Sequence, residues 1–148
     1  MSEILEPIGI ETAGLDSLDT TYNEPIEDAD TFEGNARLKA IGYAQETGLR
    51  CMADDSGLVV DALDGRPGVL SARFAGEGKT REERDQANNT LLLNLMQDIP
   101  AKKRTARFYC ALCVADPDGT VVAESTGTFD GLIGFTPCGE NGFGYDAL

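Results

Sequence analysis

The stretch CMADDSGLVVDAL, residues 51 to 63, places two aspartates, Asp54 and Asp55, between two apolar runs. A carboxylate next to a core is costly unless it is paired or holds a cation. The pattern reads as a strand over "LRCMA", a loop at "DDSG" and a second strand over "LVVDAL". Such an arrangement delivers both carboxylates to the edge of a sheet, where α/β folds commonly place ligands.

Outward from this stretch the punctuation is clear. "SEILEPIGIETAGL" reads as the tail of a helix, a break at Pro7 and Gly9, and a short strand. "DSLDTTYNEPIEDAD" is acidic and turn-rich, hence a loop. Asp30 or Thr31 can cap a helix running to about Thr47, with Phe32, Ala36, Ala40, Tyr43 and Ala44 as its apolar stripe. Asn35 and Lys39 lie one turn apart on another face, and Gly48 closes the helix. "DGRPGVLSARFAGEG" is a glycine-rich connection. The next helix runs from about Thr80 to Gln97, with Glu82 and Glu83 favoured by the dipole of its first turn. Its run of Leu91, Leu92, Leu93, Leu95 and Met96 is expected in the core. "TARFYCALCVA" and "TVVAESTGTF" read as strands joined by a "DPDG" hairpin turn. Strands mixed with two substantial helices predict one α/β domain with a mixed sheet.

Composition narrows the chemistry. The 148 residues suit one domain, and a net charge of −14 argues against a nucleic-acid duplex or an anionic membrane as partner. No apolar stretch is long enough to span a membrane, and the N-terminal residues lack the pattern of a signal peptide, so the cytoplasm is the expected location. The chain contains no histidine, which removes imidazole acid–base chemistry and His-ligated zinc. Cys110 and Cys113 form a C-x-x-C pair that Cys51 and Cys138 could complete as a zinc site. Strand residues three apart face opposite ways, however, so buried free thiols are the expectation.

Three constellations carry possible chemistry. Asp54 and Asp55 beside the Ser56 hydroxyl make a hard oxygen site suited to Mg²⁺, or else a cap and a turn completed by Gly57. Lys39 is a phosphate ligand or a solvated surface lysine. In "ENGFGYD", Gly142 and Gly144 allow close backbone approach, Phe143 and Tyr145 offer flat faces and Asp146 an acceptor. That segment suits a purine ring, or forms a turn whose aromatics cover the core.

Taken in order, "DTFEGNARLKA", "ADDSGLVVDALDGRPGVLSARFAG", "ARFYCALCVADPDG" and "GFGYDAL" closely resemble the inosine triphosphate pyrophosphatase family. The resemblance covers nearly the whole chain. It implies an elongated central mixed sheet flanked by helices, two lobes around a cleft, and a homodimer. It also implies Mg²⁺-dependent hydrolysis of deaminated purine nucleoside triphosphates (ITP, dITP and XTP) to monophosphate and pyrophosphate. By the same resemblance Asp55 is general base and metal ligand, and Asp54 its acidic neighbour at the metal. Ser56 contacts substrate, Lys39 faces the phosphates, and Phe143, Gly144, Tyr145 and Asp146 bind the nucleotide.

Three departures from the family pattern set further expectations. Gly34 stands where relatives often carry an acidic metal ligand, and neighbouring Glu33 is turned by about 100° on a helix. The family's opening phosphate loop and its closing purine-reading segment have no counterpart in residues 1–148, so this stretch is read as one domain truncated at both ends. Weak or absent turnover is therefore expected of the chain as it stands. The competing readings are a non-catalytic nucleotide- or metal-binding remnant, and an aspartyl-phosphate phosphatase, for which the D-x-D spacing is absent.

Overall fold

Helix α1, Phe32–Thr47, starts where Thr31 accepts a hydrogen bond from the Gly34 amide and ends at Gly48, whose φ of 70° is left-handed. Phe32, Ala36, Ala40 and Ala44 recur every fourth residue and are buried. Their small side chains let the helix lie close against the sheet. Tyr43, expected in this stripe, is only half-buried. The computed structural model describes residues 5–18, 20–139 and 141–148.

Strand β1, Cys51–Val60, runs without interruption through the two aspartates. The expected loop at "DDSG" is therefore corrected, and the two expected strands are one. Asp54, Asp55 and Ser56 pair with Leu112, Ala111 and Cys110 of strand β2, Thr105–Ala115. Alternation of side chains resolves the cost of adjacent carboxylates inside a sheet. Asp55 turns towards α1, while Asp54 and Ser56 turn to the other, more open side.

Strand β3, Val121–Leu132, follows β2 through a hairpin in which the Gly119 amide donates to the Asp116 carbonyl. The order is β1-β2-β3, antiparallel throughout the described residues, where a mixed sheet was expected. The reason lies in the connection. Residues 61–104 carry three 3-10 helices and helix α2, Arg81–Leu95, and bring the chain back beside β1 in the opposite direction.

Helix α2 opens with a capping box, in which Thr80 accepts from the Glu83 amide and the Glu83 carboxylate accepts from the Thr80 amide. Only Leu92 and Met96 of its apolar run are fully buried, and Leu95 is exposed, because a helix turns part of any continuous run to solvent. The short strand expected after Gly9 is absent from described residues 9–14. The helix tail expected before Pro7 falls mainly on residues 1–4, outside the described residues.

The sheet thus carries helices on both faces, as an α/β domain requires. Phe32 and the α1 alanines pack with Ala111, Cys113 and Ala115 on one side. Leu58, Val60, Leu92, Met96, Ile133 and Tyr145 form the other cluster. Arg104, only 2% exposed, donates to the carbonyls of Met96, Ile99, Ile133 and Gly134 and ties the end of α2 to the segment after β3. No helix among the described residues is long and apolar enough to cross a membrane.

Candidate active site

Asp55 is gripped from one side of α1. Asn35 Nδ2 donates to Asp55 Oδ2 at 3.1 Å, and Lys39 Nζ lies 3.3 Å from Oδ1. The two donors are four residues apart, so one helical face meets both oxygens of one carboxylate. Asn35 is buried at 1% exposure and is itself oriented by accepting from the Ala29 amide at 3.0 Å. A second carboxylate, Glu27, lies 3.1 Å from Lys39 Nζ. Burial, the largest influence, pulls the Lys39 ammonium down, but the Glu27 hydrogen bond and the charges of Asp55 and Glu27 outweigh it and hold it above the usual lysine value.

The strand comes this close to α1 because residue 57 is glycine. A Cβ there would meet Ser71 Oγ at 2.4 Å, the Gly68 carbonyl at 2.8 Å and Phe32 Cε1 at 2.9 Å. The 3-10 helix Gly68–Arg73 therefore seats directly on β1, and Ser71 Oγ accepts from the Leu58 amide at 2.9 Å. Phe32 stacks on Tyr109 with ring centroids 5.2 Å apart.

The structure brings Lys39 and Asp55 together and separates Asp54 from them. Asp54 accepts from Ser56 Oγ at 3.0 Å on the opposite side of β1, because adjacent strand residues cannot share a face. Glu33 is engaged by the Tyr109 hydroxyl, and that hydrogen bond holds its carboxyl below the usual range. At Gly34 a Cβ would meet Ala29 Cβ at 2.6 Å, so the loop before α1 packs against that bare position. Among the described residues no group of three or more His, Cys, Asp and Glu forms a metal cage. Asp55 and Glu27 both converge on Lys39 Nζ, and their carboxylates are hard oxygen donors of the type that Mg²⁺ takes alongside waters.

The cysteines are free. Cys113 is buried against α1, Cys51 and Cys110 are half-buried, and Cys138 is exposed, so the expectation of buried thiols holds fully only for Cys113.

The aromatic segment lies against α2. Phe143 is 67% exposed, with the Arg81 guanidinium 4.4 Å from its ring centroid. Gly144, at φ 59°, is held by Asp85 and Asn89. Tyr145 is buried rather than open for stacking, and its hydroxyl donates to the Ser71 carbonyl at 2.9 Å. Burial, chiefly, pushes that phenol above its ordinary value. Asp146 folds back to accept from the Phe143 amide at 3.0 Å. Glu27, Ser71 and the Asp85–Asn89 pair escaped the sequence reading. Glu27 sits in an aperiodic loop, and the others act through contacts between distant segments.

Residues 1–148 match a family model described as the Ham1 family. The chain is 50% identical over 145 residues to a dITP/XTP pyrophosphatase of Exiguobacterium sibiricum, covering 98% of this chain and 70% of that protein. It is 45% identical over 148 residues to the dITP/XTP pyrophosphatase of Desulforamulus reducens, covering 100% of this chain and 71% of that one. Among solved structures, a nucleoside-triphosphatase / dITP/XTP pyrophosphatase from Mycobacterium abscessus aligns with a TM-score of 0.81 at 43% identity, over 99% of this chain and 74% of that chain. The Ham1 protein of Staphylococcus aureus aligns with a TM-score of 0.74 at 39% identity, over 98% of this chain and 66% of that chain.

Proposed function

The chain belongs to the Ham1 family, and from that premise we propose that it hydrolyses dITP, XTP and ITP to the nucleoside monophosphate and pyrophosphate. The observation that carries the reading is the Asp55 carboxylate, fixed at both oxygens by Asn35 and Lys39 against a strand that glycine 57 keeps close to α1. The reading places the enzyme in the cytoplasm as a homodimer, with residues 1–148 as one pyrophosphatase-like domain.

In this reading water attacks the α-phosphorus, the bond between that phosphorus and the bridging oxygen breaks, and pyrophosphate leaves. Asp55 accepts the proton of the water. Lys39 makes this possible by swinging its ammonium from Asp55 Oδ1 to the phosphates, since Glu27 holds its other side and keeps it charged. Asn35 stays on Oδ2 and keeps the carboxylate aimed. A divalent cation, Mg²⁺ here, would be held by Asp55 and Glu27 and supplies charge neutralisation for the polyanion in an acidic protein. Asp54 is not carried forward as its ligand, because it faces the other side of β1. Ser56 remains a proposed substrate contact from that side. Phe143, with its backbone at Gly144 and Asp146, is the proposed base platform, and Tyr145 supports it from below.

Incubation with dITP, XTP, ITP and ATP in the presence of Mg²⁺, with pyrophosphate and orthophosphate assayed separately, tests the reading. Pyrophosphate from the deaminated nucleotides in preference to ATP supports it. A second reading, nucleotide binding without turnover, is favoured by the glycine at position 34 and the small carboxylate set, and it predicts binding with no product.

A further inference from the structure

Helix α2 presents one stripe to the aromatic segment, and each residue of that stripe makes a different contact. Arg81 lies over the Phe143 ring. One turn on, Asp85 Oδ2 accepts from the Gly144 amide at 2.9 Å, and another turn on, Asn89 Nδ2 donates to the Gly144 carbonyl at 2.9 Å. Both polar groups of one left-handed glycine are thus held by side chains four residues apart on a rigid helix. Neighbouring Asn88 donates to the Ser71 carbonyl, which also accepts from the Tyr145 hydroxyl. Asn89 Oδ1 is buried with no hydrogen-bond partner among the described residues, so its amide is oriented by the Gly144 contact alone.

These contacts fix a backbone whose most prominent side chain is an exposed aromatic ring. Anchoring on this scale is unnecessary for a surface turn, where Phe143 would gain nothing from a defined position. It is what a stacking platform needs, since immobilising the ring beforehand removes an ordering cost from binding. Arg81 also covers one face of the ring, which leaves a single face for a flat ligand.

We propose that Asp85 and Asn89 are positioning residues for nucleotide binding, acting through Gly144 to hold the Phe143 ring, with Arg81 selecting which face is open. The inference rests on the proposed pyrophosphatase reading and deepens it. It assigns support of the base-binding segment to α2, while α1 holds Asp55.

The test measures dITP affinity and steady-state turnover for the full chain and for Asp85→Ala, Asn89→Asp and Asp85→Asn, each alone and combined with Phe143→Ala. Asp85→Ala and Asn89→Asp are expected to weaken binding and raise KM roughly tenfold, with kcat within about twofold. Asp85→Asn keeps an acceptor oxygen and should restore most of the affinity. In the Phe143→Ala background the same changes should cost almost nothing more, a coupling that general loss of folding would not produce. If the parent binds dITP and the variants bind it equally well, or if their losses persist without Phe143, the positioning role is overturned and the pyrophosphatase reading stands. A parent that binds no deaminated nucleotide overturns both.

Discussion

Lys39 and Asp55 meet across the packing of α1 on β1, Nζ to Oδ1 at 3.3 Å, with Glu27 on the same ammonium at 3.1 Å. A cation between two carboxylates can release one of them without losing its charge partner. The proposed exchange of Lys39 between Asp55 and a phosphate depends on this arrangement.

Asp55→Asn should lower turnover by at least about a hundredfold, the usual scale for loss of a general base. Asp54→Asn should cost less than about tenfold, since its carboxylate lies on the other face of β1. Parallel measurement of kcat for the two variants checks this. Equal losses would place both carboxylates in the reaction.

Two shifted groups beside the site contribute to the pH dependence of stability. Lys39 is raised in the folded state, by Glu27 and Asp55 against the opposing effect of burial. Its contribution is complete below the unfolded lysine value of about 10.4 and is lost as pH rises through the higher folded value. Glu33 is lowered by the Tyr109 hydroxyl. Its contribution is present above the unfolded value of about 4.3 and is lost as pH falls through the lower folded value. Thermal midpoints across pH should show a smaller loss on the acid limb in Glu33→Gln and a smaller loss on the alkaline limb in Lys39→Met.

Gly57→Ala should destabilise the fold by about 1–3 kcal/mol, the range for overpacking. The added methyl meets the Gly68 carbonyl at 2.8 Å, and that backbone atom cannot swing aside as a side chain can. Urea denaturation gives the value. The same variant should lower turnover, because β1 would be pushed from α1 and Asp55 with it.

Arg104→Met should cost at least about 3 kcal/mol, since carbonyls of Met96, Ile99, Ile133 and Gly134 lose a charged donor. The thermal midpoint should fall by roughly 10 °C. Nucleotide affinity measured well below that midpoint should stay near the parent value, because Arg104 contacts none of the proposed site residues.

Much of the fold was legible where local chemistry decides it. Thr31 and Gly48 bracket α1, Thr80 and Glu83 open α2, and the turn at Asp116–Gly119 marks the hairpin. The pairing of Asn35 and Lys39 on one helical face also followed from their spacing. The interior of β1 was not legible, because Asp, Ser and Gly favour loops until a neighbouring strand and a helix supply their partners. For the same reason the sequence grouped Asp54 with Asp55, whereas strand alternation divides them. Tyr145 reads as a ligand face until Ser71, 74 residues away in sequence, supplies its partner.

Hydrolysis of dITP in ¹⁸O-labelled water, with the products separated and weighed by mass spectrometry, tests the central claim most directly. The account predicts one labelled oxygen in the nucleoside monophosphate, unlabelled pyrophosphate in equal amount, and loss of both products in Asp55→Asn. Label in pyrophosphate, release of orthophosphate, or undiminished turnover by Asp55→Asn would contradict it.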